Sequence, residues 1–220
     1  MNVIPFPRQA EPAPEPLAFA IGARVDLRVG ALAAGIVRPR GALDEAFGFS
    51  NLARLIRGAR MAWRERGAHA ALMLSIPREA QPSLEAELLH DAAIEAGCTR
   101  PSFGFELDER ALVPTGGGLA EDLRARGWSV ALRADPACPL PFGTRARALY
   151  AELVIDAPDA PDPYLALDQD RSPLGRRLLA ARNAGLVITA SCVRSAAQAR
   201  TLAMAGFDRG GGPFAEAGLR

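Results

Sequence analysis

The 220-residue chain contains no lysine; every basic residue other than its two histidines is arginine. This excludes Schiff-base chemistry, a P-loop lysine and a lysine general base. His69 and His90 stand outside any zinc-ligand or H-E-x-x-H spacing, so they read as structural or surface residues. The cysteines Cys98, Cys138 and Cys192 are few, scattered and odd in number, which fits a reducing cytoplasm rather than a disulfide framework. No run of eighteen apolar residues is present to span a bilayer, so no membrane partner is expected. A formal net charge of +1 gives no electrostatic footprint for duplex nucleic acid. The amino-terminal stretch MNVIPFPRQAEPAPEP lacks the basic region and apolar core of a secretory signal, and a cytoplasmic location is the expectation.

At 49% hydrophobic and 23% charged, the chain can fill one core and is too short for two large domains. Residues 1–16, with five prolines among polar residues, are expected to form a flexible tail, and residues 17–220 a single domain. The runs LAFAIGARVDL and ALAAGIVRP, separated by Arg28-Val29-Gly30, predict an antiparallel hairpin. After Ser50, a candidate N-cap, Leu52, Leu55, Ile56, Ala59 and Trp63 recur at helical spacing up to Gly67. The pattern then alternates. Strand-like ALMLSI, FGFEL, WSVALR, AELVID and LVITA are followed by helical stretches; the first runs from Ser83 to about Ala96, the second ends near Arg126-Gly127, and the last, from Ser195 to Ala205, leads into the glycine-rich DRGGGPF. Repeated strand–helix units with unalternating apolar strands predict an α/β fold with a parallel sheet, open or closed into a barrel.

In such folds chemistry collects at the carboxyl ends of strands. The residues placed there are Arg38, Met73, Glu106, Arg133 with Ala134, Val154 and Ser191, and Glu106 is the one carboxylate among them. A metal hydrolase needs several carboxylates converging on its cations, and acid–base catalysis needs two titratable groups within hydrogen-bond reach. The set is chemically thin.

The order and spacing of VDLRVGALAAGIVRP, ALMLS, FELDERAL, LRARGWSVALRAD, AELVID and LVITASCVRSAAQARTLAMAGFD resemble the EAL domain from about residue 18 to the C-terminus. That family comprises bacterial cyclic di-GMP phosphodiesterases and their inactive relatives, and the resemblance implies a modified TIM-type barrel with an antiparallel first strand. Placed on this chain, the Glu-Ala-Leu signature falls on Ala34, Gly35 and Ile36, with its ligand-binding arginine at Arg38. The metal-ligating Asn falls on Met73, the Glu of Glu-Leu-Thr-Glu is kept as Glu106, with Glu109 also kept, and the paired Asp fall on Arg133 and Ala134. The catalytic Lys falls on Val154, before Ile155 and Asp156; the late glutamates fall on Ser191 and Arg194, and the Gln-Gly on Gly211-Gly212. Phe142-Gly143-Thr144 resembles the Phe-Gly-Thr that follows the paired Asp, but using it as the anchor requires a compensating deletion.

The resemblance therefore implies a degenerate barrel, without metal, cofactor or phosphodiesterase activity, in which Arg133 forms an ion pair with Glu106. The expected work is regulatory protein–protein interaction; a metal-independent cyclic di-GMP receptor using Arg38 stays open as the alternative. The loop from Asp135 to Ala148, where family members dimerise, carries Pro136, Pro139 and Pro141, which leaves a homodimer open. Four further features read more simply as structure. Gly116–Gly118 and Gly210–Gly212 lack a phosphate-loop spacing and read as turns. The aspartates of IDAPDAPDPYLALDQD lack the glycine and terminal glutamate of a calcium loop, and Cys138 has no histidine nearby in sequence.

Overall fold

The computed structural model describes residues 18–40, 47–112, 116–134, 144–156 and 173–217. The tail expected over residues 1–16, the prolines of the Asp135 loop, Cys138, Phe142-Gly143 and the aspartates from Asp159 to Asp170 lie outside the described residues.

The chain opens with a hairpin, β1 (Phe19–Asp26) and β2 (Leu32–Pro39). Its turn is built by Asp26, whose Oδ1 accepts from the backbone N–H of Arg28 at 2.8 Å and of Val29 at 3.1 Å, while Gly30 takes a positive φ of 72°. Those two backbone bonds hold the Asp26 carboxyl below its ordinary pKa. Next come α1 (Phe49–Glu65), β3 (Ala71–Ser75), α2 (Ala86–Glu95), β4 (Phe103–Asp108), the short α3 (Glu109–Leu112) and α4 (Gly118–Ala125). They are followed by β5 (Ser129–Arg133), α5 (Thr144–Leu149), β6 (Glu152–Asp156), α6 (Pro173–Asn183), β7 (Val187–Ser191), α7 (Ala196–Met204), β8 (Arg209–Gly211) and α8 (Pro213–Ala217).

The eight strands close in sequence order. β1 runs antiparallel to both neighbours, β2 and β8, and all other pairs are parallel. The expected α/β barrel with an antiparallel first strand is the observed architecture. Because β1 runs against the others, its first residues lie at the mouth, where Phe19 pairs with Pro39 at the carboxyl end of β2.

Three local expectations are corrected. Gly48, with no side-chain bond, caps α1, and Ser50 lies inside the first turn. A 3-10 turn at Gln81–Ser83 precedes α2, which starts at Ala86 rather than Ser83. The helix expected to end near Arg126-Gly127 is α4, which starts after Gly117, a residue with a φ of 92°. Finally, Arg209–Gly211 is a strand and not a loop. Two glycines in three residues carry no strand propensity, yet a Cβ at Gly211 would lie 3.3 Å from the Ala23 carbonyl oxygen of β1, so the closing strand runs close against β1. Ser195 does cap α7, accepting from the Gln198 N–H at 3.1 Å.

Most of the core lies between the helices and the outer faces of the strands. There Phe103, Phe105 and Trp128 pack edge to face, and Trp128 Nε1 donates to His90 Nδ1 at 3.1 Å, which makes His90 a packed structural residue. A smaller cluster of Ile36, Met73, Ala131 and Val154 fills the barrel interior.

Candidate functional site

Successive strand residues point to opposite sides of a sheet, so each strand gives the interior every second residue. Glu106, buried within β4, accepts Ser75 Oγ at 3.0 Å and Arg133 Nε at 3.1 Å on Oε1; its Oε2 is engaged by Arg24 Nη2. Arg133 Nη2 also pairs with Glu106 Oε1 and donates to Ser75 Oγ at 2.8 Å. The expected ion pair between Arg133 and Glu106 is present. It is one link of a longer chain.

Arg24, buried on β1, uses its other terminal nitrogen to reach Glu152 Oε1 on β6 at 2.9 Å. Glu152 Oε1 accepts Thr189 Oγ1 at 2.6 Å, and its Oε2 accepts Arg209 Nη1 from β8 at 3.1 Å. Arg133, Glu106, Arg24, Glu152 and Arg209 thus form an alternating relay that crosses the barrel and contains three cations and two anions. Burial alone would raise the Glu106 carboxyl, but the facing guanidinium groups of Arg24 and Arg133 pull its pKa down to about 2. Glu106 is an ionised acceptor at neutral pH. It has no proton to give as a general acid.

Arg24, Glu152, Thr189 and Arg209 are the interior residues that sequence reasoning missed. A signal existed: Arg24 in AIGARVDL and Glu152 in AELVID are isolated charges in runs otherwise suited to burial, and buried charges require partners. Their separation of 128 residues hides the pairing.

The structure places the sequence-derived positions at three depths. Ala34, at the opposite end of β2 from Arg38, lines a cavity of about 200 Å³ at the barrel floor together with Ala71, Phe103, Ser129 and Arg209. Met73 and Val154 belong to the buried mid-barrel cluster, so the expectation that they stand at the open mouth is corrected. The reason is register, since Met73 pairs with Ile36 and Val154 with Thr189, each two residues short of its strand's end. Gly211 lies in β8 opposite Arg24, and Ala134 packs among the outer-core hydrophobics rather than beside Glu106.

At the mouth, Arg38, Ser75, Arg78, Asp108 and Arg133 line a cleft of about 330 Å³. Arg78 Nε donates to Asp108 at 3.0 Å. Arg38 is exposed; partial desolvation of its guanidinium and repulsion from Arg133 and Arg24 lower its pKa, against attraction from Glu106. Ser191 Oγ donates to Asp156 across β7 and β6. Glu109 is fully buried and paired with Arg177 of α6. Among the described residues no group of three or more His, Cys, Asp or Glu side chains gathers as a cation site. Cys98 is buried, and its thiol is pushed up to about 11, which suppresses thiolate chemistry.

This architecture has solved counterparts. The EAL domain of Mycobacterium smegmatis DcpA shares 20% identity over 92% of this chain and 96% of its own, with a TM-score of 0.62. The fold is that of the EAL barrel. PaMucR phosphodiesterase, solved as a c-di-GMP complex, matches with a TM-score of 0.67 at 15% identity over 90% of this chain and 94% of its own. Klebsiella pneumoniae BlrP1, in a calcium and cy-diGMP complex, matches with a TM-score of 0.67 at 16% identity over 90% of this chain and 55% of its own. The chain therefore spans about half of that protein. No family model matches the sequence, and no curated protein matches it. No helix among the described residues is long and apolar enough to cross a membrane.

Replacing Arg24 by Met leaves two buried carboxylates with fewer cations, and equilibrium denaturation should show a loss of about 3–5 kcal/mol. Arg28→Ala, which removes an exposed pair at 3.8 Å, should stay within ~1 kcal/mol. The pKa of Glu106 is lower in the folded state than its ordinary value of 4.5, so its ionisation stabilises the fold above about pH 4.5. That contribution disappears as pH falls towards 2. A melting series from pH 6 to pH 2 should show Glu106→Gln losing less stability across that window than the wild type; equal slopes would refute the assignment.

Proposed function

We propose that this chain is a catalytically inert EAL barrel that acts as a regulatory protein-interaction module. The single observation that supports the reading is the occupancy of Glu106: both of its oxygens are already engaged, by Arg24, Arg133 and Ser75. Divalent cations such as magnesium and calcium need several oxygen donors each. The positions that the EAL resemblance assigns to metal ligands and the catalytic lysine hold Ala34, Met73, Arg133, Ala134, Val154 and Ser191, and this donor set does not fit a metal pair. Arg24 and Arg133 supply fixed positive charge to the carboxylate that would otherwise need a cation. A barrel whose buried carboxylates are already paired with guanidinium groups keeps its scaffold without a reacting centre, and surface recognition is the use that remains.

A second reading rests on a different observation. Arg38 presents an exposed guanidinium over the mouth cleft beside Arg133 and Arg78, and two of the similar structures were solved with a cyclic dinucleotide. A metal-independent cyclic di-GMP receptor would use that cation against a phosphate. The cleft's 330 Å³ lies near the lower end of the range for small-molecule sites, which favours the first reading.

Calorimetric titration of the full chain with cyclic di-GMP, with and without magnesium, separates the readings. The interaction-module reading predicts no binding tighter than about 10 μM (roughly 7 kcal/mol) and no hydrolysis on prolonged incubation. Magnesium-independent binding tighter than that, abolished in Arg38→Ala, establishes the receptor. Magnesium-dependent cleavage contradicts both.

A further inference from the structure

The outer surface carries two faces of opposite charge that no part of the foregoing account uses. On α1, Arg54, Arg57, Met61 and Arg64 are all exposed, and at 100° per residue they fall within a single arc of the helix opposite the buried Leu52, Leu55, Ile56 and Trp63. Met61 is 58% exposed between the arginines. Arg57 is held by α2, donating to the Glu95 carbonyl at 3.1 Å and lying 3.6 Å from its carboxylate. Among the described residues, Arg54 and Arg64 have no side-chain partner of that kind. The face is a basic strip with an apolar centre.

The second face is a groove of about 720 Å³ between the 3-10 turn at Gln81–Ser83, α2 and α4. Leu84 and Leu119 give it apolar lining, while Glu85, Glu87 and Asp122 stand against one cation, Arg126. Glu85, Glu87 and Asp122 are exposed. Gln81 also lines the groove; it is buried, its Nε2 donates to the Ile76 carbonyl at 3.1 Å, and its Oε1 has no hydrogen-bond partner among the described residues. The groove is an acidic, partly apolar concavity.

We infer that these two faces bind each other between copies of the chain, the α1 strip of one copy seating in the acidic groove of the next. Arg54 and Arg64 meet Glu85, Glu87 and Asp122, and Met61 packs against Leu84 and Leu119. Arginine suits such a contact because its planar guanidinium pairs with carboxylates in a bidentate manner, and an apolar side chain between charges suits a protein surface better than a phosphate backbone. The contact is heterologous: each copy offers both faces and uses them towards different neighbours, so association continues beyond a dimer. It involves neither the barrel mouth nor the Asp135 loop, and it stands independently of the proposed function.

Sedimentation velocity of the full chain tests it. At low ionic strength the wild type should show a sedimentation coefficient that rises between 5 and 200 μM, and 0.5 M salt should suppress the rise. Arg54→Glu/Arg64→Glu and Glu87→Arg/Asp122→Arg should each remain monomeric, because like charges then face each other, with melting temperatures showing that both are folded. Mixing the two variants should restore association, since each supplies a face complementary to the other. A wild type that stays monomeric at 200 μM in low salt overturns the inference, and so does association that survives either reversal. Loss in both variants without rescue on mixing also overturns it, because the two faces then serve other contacts. None of these outcomes bears on whether the barrel hydrolyses or binds a dinucleotide.

Discussion

The guanidinium of Arg24 is the group on which the interior of this barrel depends. It projects from the one antiparallel strand and ties together carboxylates on β4 and β6, which are not neighbours in the sheet. Either Glu106 or Glu152 alone in that position would carry an uncompensated buried charge, at a cost of several kcal/mol. Joined through Arg24 and closed at each end by Arg133 and Arg209, they become acceptors with nearly all of their capacity used. The charge balance leaves one net positive charge. At the mouth, desolvation first and repulsion from Arg133 and Arg24 second lower the pKa of Arg38.

This internal balance bears directly on the chemistry open to the barrel. A carboxylate poised for metal binding or proton transfer needs a free lone pair or a pKa near the working pH. Glu106 has neither, because guanidinium groups hold it ionised and occupied. The mid-barrel cluster beneath it is hydrocarbon and thioether: Ile36, Met73, Ala131 and Val154. Among the described residues of the barrel interior, the charged groups lie in the relay, and Arg38 and Arg78 stand at the rim.

Much of this was legible in the sequence, for identifiable reasons. The hairpin could be read because Arg28-Val29-Gly30 separates two apolar runs, and the parallel strands because their runs are apolar on both faces. The pairing of Arg133 with Glu106 followed from a cation and an anion placed on adjacent strands. What stayed hidden was non-local. The strand at Arg209–Gly211 has no propensity signature, since its pairing comes from the closure of the ring and the need for backbone to approach closely. Arg24 stands alone within an apolar strand run, where a charge demands a buried partner that lies far away in sequence. The depth of Met73 and Val154 depends on inter-strand register, which no residue type encodes by itself.

The central claim is that protein guanidinium groups, and not a divalent ion, neutralise Glu106. Manganese added stepwise to the purified protein, with the free ion followed by electron paramagnetic resonance, tests it most directly. The account predicts that millimolar manganese stays free in solution and that the wild-type melting temperature is the same with manganese or with chelator. One manganese ion bound per chain at micromolar concentration, lost in Glu106→Gln, would contradict it.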